Sequence, residues 1–250
     1  MTPADRDVIA RLDDDGVIVT SLERLALPET ERLRGALDTL TTQLAARDPG
    51  DRSTVRQTND ELVADEILWQ WGLSDRLLDI VENHLGLAPL YCGADVRREV
   101  ADGRTIDVRC WHRDAEDDRL FKLLVWLDDV DASNGPFEYV PRRRTEATTA
   151  QLGYVAGFVS DERMSRVVIP SDWLRCEGTA GTVILADTTK IFHRAKPPIT
   201  SDRHSATFTF STRFPTKLYP KIPFTDEQTE RIRSGLTERQ LACLPRVIGA

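Results

Sequence analysis

The sequence predicts a mainly β fold buttressed by helices, and three observations carry that prediction. Apolar residues at helical spacing dominate the first third of the chain. Short apolar and β-branched runs, broken by Gly, Pro, Asn and Asp, dominate the rest. Helices first and many short strands after is the order of a β-sandwich or barrel with helices packed against it. The 250 residues suit one domain, and nothing marks a linker. We read a helical buttress over about 1–88, a β-core over about 89–214 and a C-terminal helical segment over about 215–250.

Residues 4–12 read as a short helix ahead of the turn Asp13-Asp14-Asp15-Gly16. Pro28 suits a helix start, and Leu33, Leu37, Leu40 and Leu44 form a stripe that Asp48-Pro49-Gly50 ends. A second helix is expected around 60–71. A third has Ser74 as N-cap, Leu77, Leu78, Val81 and Leu85 on one face and Gly86 as its stop. His84, near its end, reads as a structural residue. Strands are expected over 95–101 and 105–112, joined as a hairpin at Asp102-Gly103. Further strands are expected over 120–127, 136–140, 166–170, 182–186, 190–195 and 204–213. Residues 225–241 read as one or two helices.

Four residues point to chemistry. His112 and Asp114 flank a single residue in Trp111-His112-Arg113-Asp114. On a strand, residues two apart share a face, so an imidazole and a carboxylate can converge on one cation. His193 lies far downstream in a second apolar stretch. Two His and one carboxylate form the facial triad that holds non-haem Fe(II) and leaves positions open. Arg203 follows ten residues after His193, with Ser205 beside it in strand parity. A buried guanidinium grips a carboxylate bidentately, and 2-oxoglutarate offers a distal carboxylate. Thr207 and Thr209 continue the same face. Lys122 is the one charge in an apolar strand. It either binds an anionic group of cofactor or substrate or snorkels outward from a strand end. Cys110 shares the strand parity of His112 and reads as a small core residue. Arg97, Arg98, Arg109 and Arg113 alternate around the metal strand, some pairing outward with Glu99, Asp107 or Glu116.

The stretch Trp111-His-Arg-Asp, Phe121-Lys-Leu-Leu-Val-Trp-Leu-Asp-Asp-Val, Asn134-Gly135-Pro136 and Val140-Pro141 resembles the phytanoyl-CoA dioxygenase family. Gly181-Thr-Val-Ile-Leu-Ala-Asp187 with Phe192-His193-Arg194, and Arg203-x-Ser205, resemble that family's distal-histidine and 2-oxoglutarate strands. Asp14-Asp15-Gly16-Val17-Ile18-Val19 resembles its opening. The resemblance runs from about residue 5 to about residue 214. It implies a double-stranded β-helix, a cupin-like jelly-roll, with Fe(II), 2-oxoglutarate and O₂ as reactants. It also implies oxidative decarboxylation to succinate and CO₂ coupled to attack on a C–H bond. Retention of Asp114, which halogenating relatives replace by a small residue, disfavours halogenation. The sequence departs from the family after Pro141, where Arg142, Arg143 and Arg144 stand in place of Pro-Gly-Ser-His. These arginines read as a solvated turn, residues 142–165 as a mobile lid, and Thr54–Asn59 as part of the mouth.

The expected activity is hydroxylation of a small molecule in specialised metabolism. Epimerisation, desaturation and ring closure are the alternatives from the same chemistry. A rival reading is a non-oxidative cupin-like metal-binding protein or isomerase, against which the Arg203-x-Ser205 anchor counts. Another is an idle partner module, against which the intact triad counts. Nothing marks a CoA site. The net charge of −8 argues against nonspecific nucleic-acid binding, and no apolar run reaches membrane-span length. The polar, acidic first residues read as neither signal nor transit peptide. Cysteines at 92, 110, 176 and 243, without a Cys-x-x-Cys, suit reduced thiols in a cytoplasm.

Overall fold

The computed structural model describes residues 1–217 and 224–245. Helix α1 (Pro3–Asp15) opens on a Thr2 capping box and ends at Gly16, whose φ of 80° is left-handed. Strand β1 (Val17–Ser21) and the short α2 (Leu22–Leu25) follow. Helix α3 (Thr30–Ala45) buries the stripe Leu33, Leu37, Leu40 and Leu44. After β2 (Thr54–Arg56), the helix expected around 60–71 is two helices, α4 (Asn59–Leu62) and α5 (Ile67–Gly72). Thr58 caps α4, and Asp65 takes the Ile67 N–H with its own carboxylate, which starts a new helix. Helix α6 (Asp75–Leu85) buries Leu77, Leu78, Val81 and Leu85 and stops at left-handed Gly86; the Ser74 side chain makes no cap bond.

Strands β3 (Pro89–Glu99), β4 (Leu120–Trp126) and β5 (Phe137–Tyr139) lead to helices α7 (Arg142–Leu152) and α8 (Asp161–Ser165). Strands β6 (Leu174–Cys176), β7 (Thr182–Ala186), β8 (His193–Ala195) and β9 (Arg203–Thr212) follow. Helices α9 (Asp226–Arg233) and α10 (Glu238–Ala242) fall in the C-terminal segment. Positions 218–223 and 246–250 of that expected segment lie outside the described residues.

Six strands form one antiparallel sheet in the order β1-β7-β4-β9-β3-β2, and three form a second in the order β6-β5-β8. The chain moves between the two sheets as a jelly-roll does. Strand alternation divides the large sheet cleanly. Phe121, Leu123 and Val125 of β4 and Ala206, Phe208 and Phe210 of β9 join the helix-side core with α3, α5 and α6. Leu124 and Trp126, with Ile184 and Ala186, face Phe137 and Cys176 of the second sheet. Trp111, Leu152, Val159, Met164 and Phe192 make a third cluster under α7 and α8. The Asn134-Gly135-Pro136 turn needs its glycine. Gly135 has φ 73°, and a Cβ there would lie 2.2 Å from the Lys196 carbonyl oxygen.

Four sequence expectations are corrected. Residues 105–112 are not the second strand of a hairpin, because β3 already pairs with β9 along one edge and β2 along the other. The segment instead carries a 3₁₀ turn at Asp107–Arg109. Residues 166–170 form no strand, since α8 precedes them and a 3₁₀ turn begins at Pro170; the strand is β6. Arg142–Arg144 are the first turn of α7 rather than a loop turn; Arg143 and Arg144 are exposed, as expected, with Arg144 paired to Asp172 at 2.7 Å. The expected lid is largely helical and is tied down: Val159 and Trp111 exchange backbone hydrogen bonds of 2.7 and 3.0 Å, and Asp161 pairs with Arg194. Its exposed tip is 155–158, with Val155 94% and Phe158 53% exposed.

Candidate metal centre

His112 does not sit on a regular strand, and Asp114 lies in irregular backbone beyond it. A single antiparallel bridge joins His112 to His193, with N···O distances of 3.0 and 2.9 Å. The Asp114 N–H donates to the Thr188 carbonyl at 3.1 Å. These main-chain bonds do the work that strand periodicity was expected to do. They bring His112, Asp114 and His193 together, with one ligand atom of each within 4.8 Å of the others. Asp114 Oδ1 stands 3.6 Å from His112 Nε2 and 3.8 Å from His193 Nε2.

Both imidazoles are oriented from behind. His112 Nδ1 lies 2.9 Å from the Cys110 carbonyl, and His193 Nδ1 lies 3.4 Å from the Ile191 carbonyl. A carbonyl only accepts, so each Nδ1 carries the proton and each Nε2 presents its lone pair to the centre. Phe137 stacks on His193 with centroids 5.4 Å apart, and Phe158 meets His112 edge-on at 5.4 Å. Burial, helped by His112, pushes His193 down to about 3, so its ring is neutral and ready to ligate. Burial would raise Asp114, but Lys122 and His193 outweigh it and hold the carboxyl well below the usual range.

Lys122 does not snorkel outward. It points inward, and its ammonium binds Asp114 Oδ2, leaving Oδ1 toward the histidines. Burial lowers the Lys122 pKa, and the Asp114 and Glu116 charges more than reverse that. Cys110 turns away from the centre, its thiol donating to the Thr105 carbonyl.

A cavity of about 840 Å³ opens from this cluster. Arg203, Ser205, Thr207, Thr209 and Ser211 of β9 line it, as do Lys122, Leu124 and Trp126 of β4. Arg203 is 2% exposed, and its guanidinium lies over the Trp126 ring at 5.1 Å. Its one hydrogen bond among the described residues is a long 3.4 Å contact to the Lys196 carbonyl; no carboxylate pairs with it, and its Nε has no partner. Burial brings its pKa down to about 10, resisted by Glu99 and reinforced by Arg97 and Arg109. The Thr207 hydroxyl is also buried without a partner. Arg56, Gln57 and Asn59 from the expected mouth segment line the cavity too.

Of the four arginines near the metal segment, Arg97 and Arg113 line the cavity. Arg98 donates to the Ala45 and Arg47 carbonyls, and Arg113 to the Thr189 carbonyl. Arg109, 1% exposed, pairs with Glu99 at 2.9 Å and Asp102 at 2.6 Å. His84 is structural, lying between Asp13 and Asp187 at 3.2 and 3.4 Å. Two features escaped the sequence reading. One is the Lys122–Asp114 pair, hinted at only by a lone charge in an apolar strand. The other is the buried Glu138, which holds Arg194 at 2.6 Å against Trp111 beside the metal segment.

No protein-family model matches the sequence, and no curated protein matches it. Solved structures do. HygX from Streptomyces hygroscopicus, with nickel, 2-oxoglutarate and hygromycin B bound, is 17% identical over 86% of this chain and 88% of its own, with TM-score 0.55. EctD from S. alaskensis, with 2-oxoglutarate and 5-hydroxyectoine, is 18% identical over 85% of this chain and 76% of its own, with TM-score 0.55. The non-heme alpha ketoglutarate dependent epimerase SnoN from nogalamycin biosynthesis is 15% identical over 84% and 83%, with TM-score 0.52. At these identities the likeness is one of fold, and that fold is the jelly-roll.

Proposed function

We propose that this protein is an Fe(II)/2-oxoglutarate-dependent oxygenase acting on a small molecule. The observation that carries the reading is Arg203: a buried guanidinium, stacked on Trp126 and without a carboxylate, in the cavity that the three-ligand cluster opens into. A buried charge with no hydrogen-bonded carboxylate is costly, so it calls for an anionic partner. The residues present fit the implied reactants. Two imidazoles and a carboxylate are the donor set for a ferrous ion with open positions. Arg203, with the Ser205 and Thr207 hydroxyls, would receive the distal carboxylate of 2-oxoglutarate. That three structures of this fold are described with 2-oxoglutarate or as dependent on it supports the class.

When bound, iron, 2-oxoglutarate and O₂ together supply oxidative decarboxylation to succinate and CO₂ and an oxidant for an unactivated C–H bond. The chain's own residues do the positioning. The Cys110 and Ile191 carbonyls fix the ligand tautomers, and Lys122 fixes the rotation of Asp114. Phe158 and the tip around it cover His112 and limit water.

Hydroxylation is the default outcome, with epimerisation, desaturation and ring closure as alternatives. The sequence motifs favour a phytanoyl-CoA dioxygenase-like member in specialised metabolism, set in the cytoplasm. Among the described residues no helix is long and apolar enough to cross a membrane. Anaerobic titration with Fe(II) and then 2-oxoglutarate tests the class. A weak visible charge-transfer band is expected only with both, and an absent band with normal iron binding would sink the reading.

A further inference from the structure

The cavity holds one carboxylate that this chemistry leaves unused. Glu116 lies two residues past Asp114 and lines the cavity. Its Oε2 is shielded from solvent and has no hydrogen-bond partner. The other acidic residues of the cavity wall are engaged, Asp95 with Arg56 and Asp114 with Lys122. Among the described residues, Glu116 forms no ion pair. The Lys122 ammonium attracts Glu116 but gives its hydrogen bond to Asp114 Oδ2 rather than to Glu116. Lys217 also lines the cavity, and its backbone N–H donates to the Glu116 carbonyl at 2.7 Å, yet its ammonium does not reach the carboxylate. A second acceptor faces the same space. Gln57 gives its Nε2 to the Leu40 carbonyl at 2.8 Å and keeps a buried, unpartnered Oε1.

A carboxylate oxygen buried without a donor calls for a ligand with N–H donors to give. Resting on the iron and 2-oxoglutarate reading above, we infer that Glu116 receives a protonated amine of the substrate, which is therefore an amine-bearing small molecule. An alkylamine has a pKa near that of lysine, about 10.4, and is charged at neutral pH. An ammonium carries up to three donors, enough for Glu116 and a second acceptor. Glu116 and Asp114 line the same cavity, so the amine would sit in the space that the three-ligand cluster opens into. Leu62, Trp69, Leu90 and Phe224 give the cavity an apolar wall for the rest of the skeleton.

The test uses the intact protein loaded with Fe(II) and 2-oxoglutarate. The charge-transfer band is recorded first, and its absence would overturn the reading on which this inference rests. With the band present, succinate release is measured with the twenty L-amino acids, putrescine and glucosamine, each beside its N-acetyl derivative. At least one free amine should stimulate turnover about 10- to 100-fold more than its acetylated partner, the range of a charge-assisted hydrogen bond. Glu116→Gln should erase that preference, and Glu116→Asp should restore part of it. The inference is overturned if no free amine stimulates, if acetylated forms do as well, or if Glu116→Gln keeps the preference. The last result would also mean that Glu116 serves Lys217 or the fold alone.

Discussion

Both triad histidines donate their Nδ1 proton to a backbone carbonyl two residues upstream, and this fixes what Nε2 can do. A ring held in that tautomer, packed against Phe137 or Phe158, needs no reorganisation to bind a metal. His112→Ala or His193→Ala should therefore cost iron more than the 10- to 100-fold typical of losing an outer partner. The expected outcome is loss of stoichiometric iron after gel filtration, with an unchanged far-ultraviolet dichroism spectrum. Iron retained at one per chain in both variants would remove the triad assignment.

At the scale of elements, the turn at Asp107–Arg109 is held by an ion cluster rather than by a ladder. Glu99 at the end of β3 is fully buried, and Arg109 fastens the loop to it and to Asp102. Arg109→Met would leave the Glu99 charge with a poorer set of partners. A loss of about 3–5 kcal/mol is expected, read as the urea midpoint at pH 7. The pH dependence follows in sign. Burial raises the Glu99 pKa, but Arg97, Arg203 and Arg109 outweigh it, so the folded value lies below the usual 4.5. Its contribution is complete above pH 4.5 and is lost as pH falls through the folded value. Glu99→Gln should flatten the stability-versus-pH slope below 4.5. A slope equal to that of the wild type would contradict this.

These same elements mark where sequence reading reaches and where it ends. The leucine stripe of α3, the Gly86 stop of α6 and the alternation along β9 were legible, because local periodicity and capping determine them. The nonlocal occupancy of both β3 edges was not legible, so a Gly turn at 103 suggested a hairpin that the sheet has no room for. Four of the ion partners that matter, Lys122 with Asp114 and Arg194 with Glu138, lie 8 and 56 residues apart. No spacing rule connects them. The anchored lid was missed for a similar reason: α7 has a weak amphipathic pattern, and the stretch after it is held from other elements, Tyr154 by Arg113, Val159 by Trp111 and Asp161 by Arg194. Only the tip 155–158 is left to cover His112, and Phe158→Ala tests it. Succinate formed without oxidised product should rise severalfold, measured side by side in one assay. A one-to-one ratio in the variant would show that the tip shields nothing.

For the whole molecule, the sheets, the three-ligand cluster and Arg203 line one cavity, so ligands that fill it should stabilise the entire fold. The triad joins residues 112–114 to β8, and Arg203 opens β9, the strand shared by β3 and β4. A ligand at 100 times its dissociation constant adds about 2.7 kcal/mol. In a protein of this size each kcal/mol moves Tm by about 2–4 °C. Anaerobic Fe(II) should therefore raise Tm by roughly 5–10 °C, and 2-oxoglutarate should add a similar step only when iron is present. Arg203→Leu separates the two steps. Its iron step should stay near wild type, because Arg203 does not touch the triad. Its 2-oxoglutarate step should need about 10- to 100-fold more ligand, the loss expected for a charge-assisted bond to a carboxylate. A 2-oxoglutarate step that survives unchanged in Arg203→Leu would leave the buried guanidinium without a ligand to explain it. An iron step lost together with it would mean that Arg203 supports the fold around the metal rather than the co-substrate.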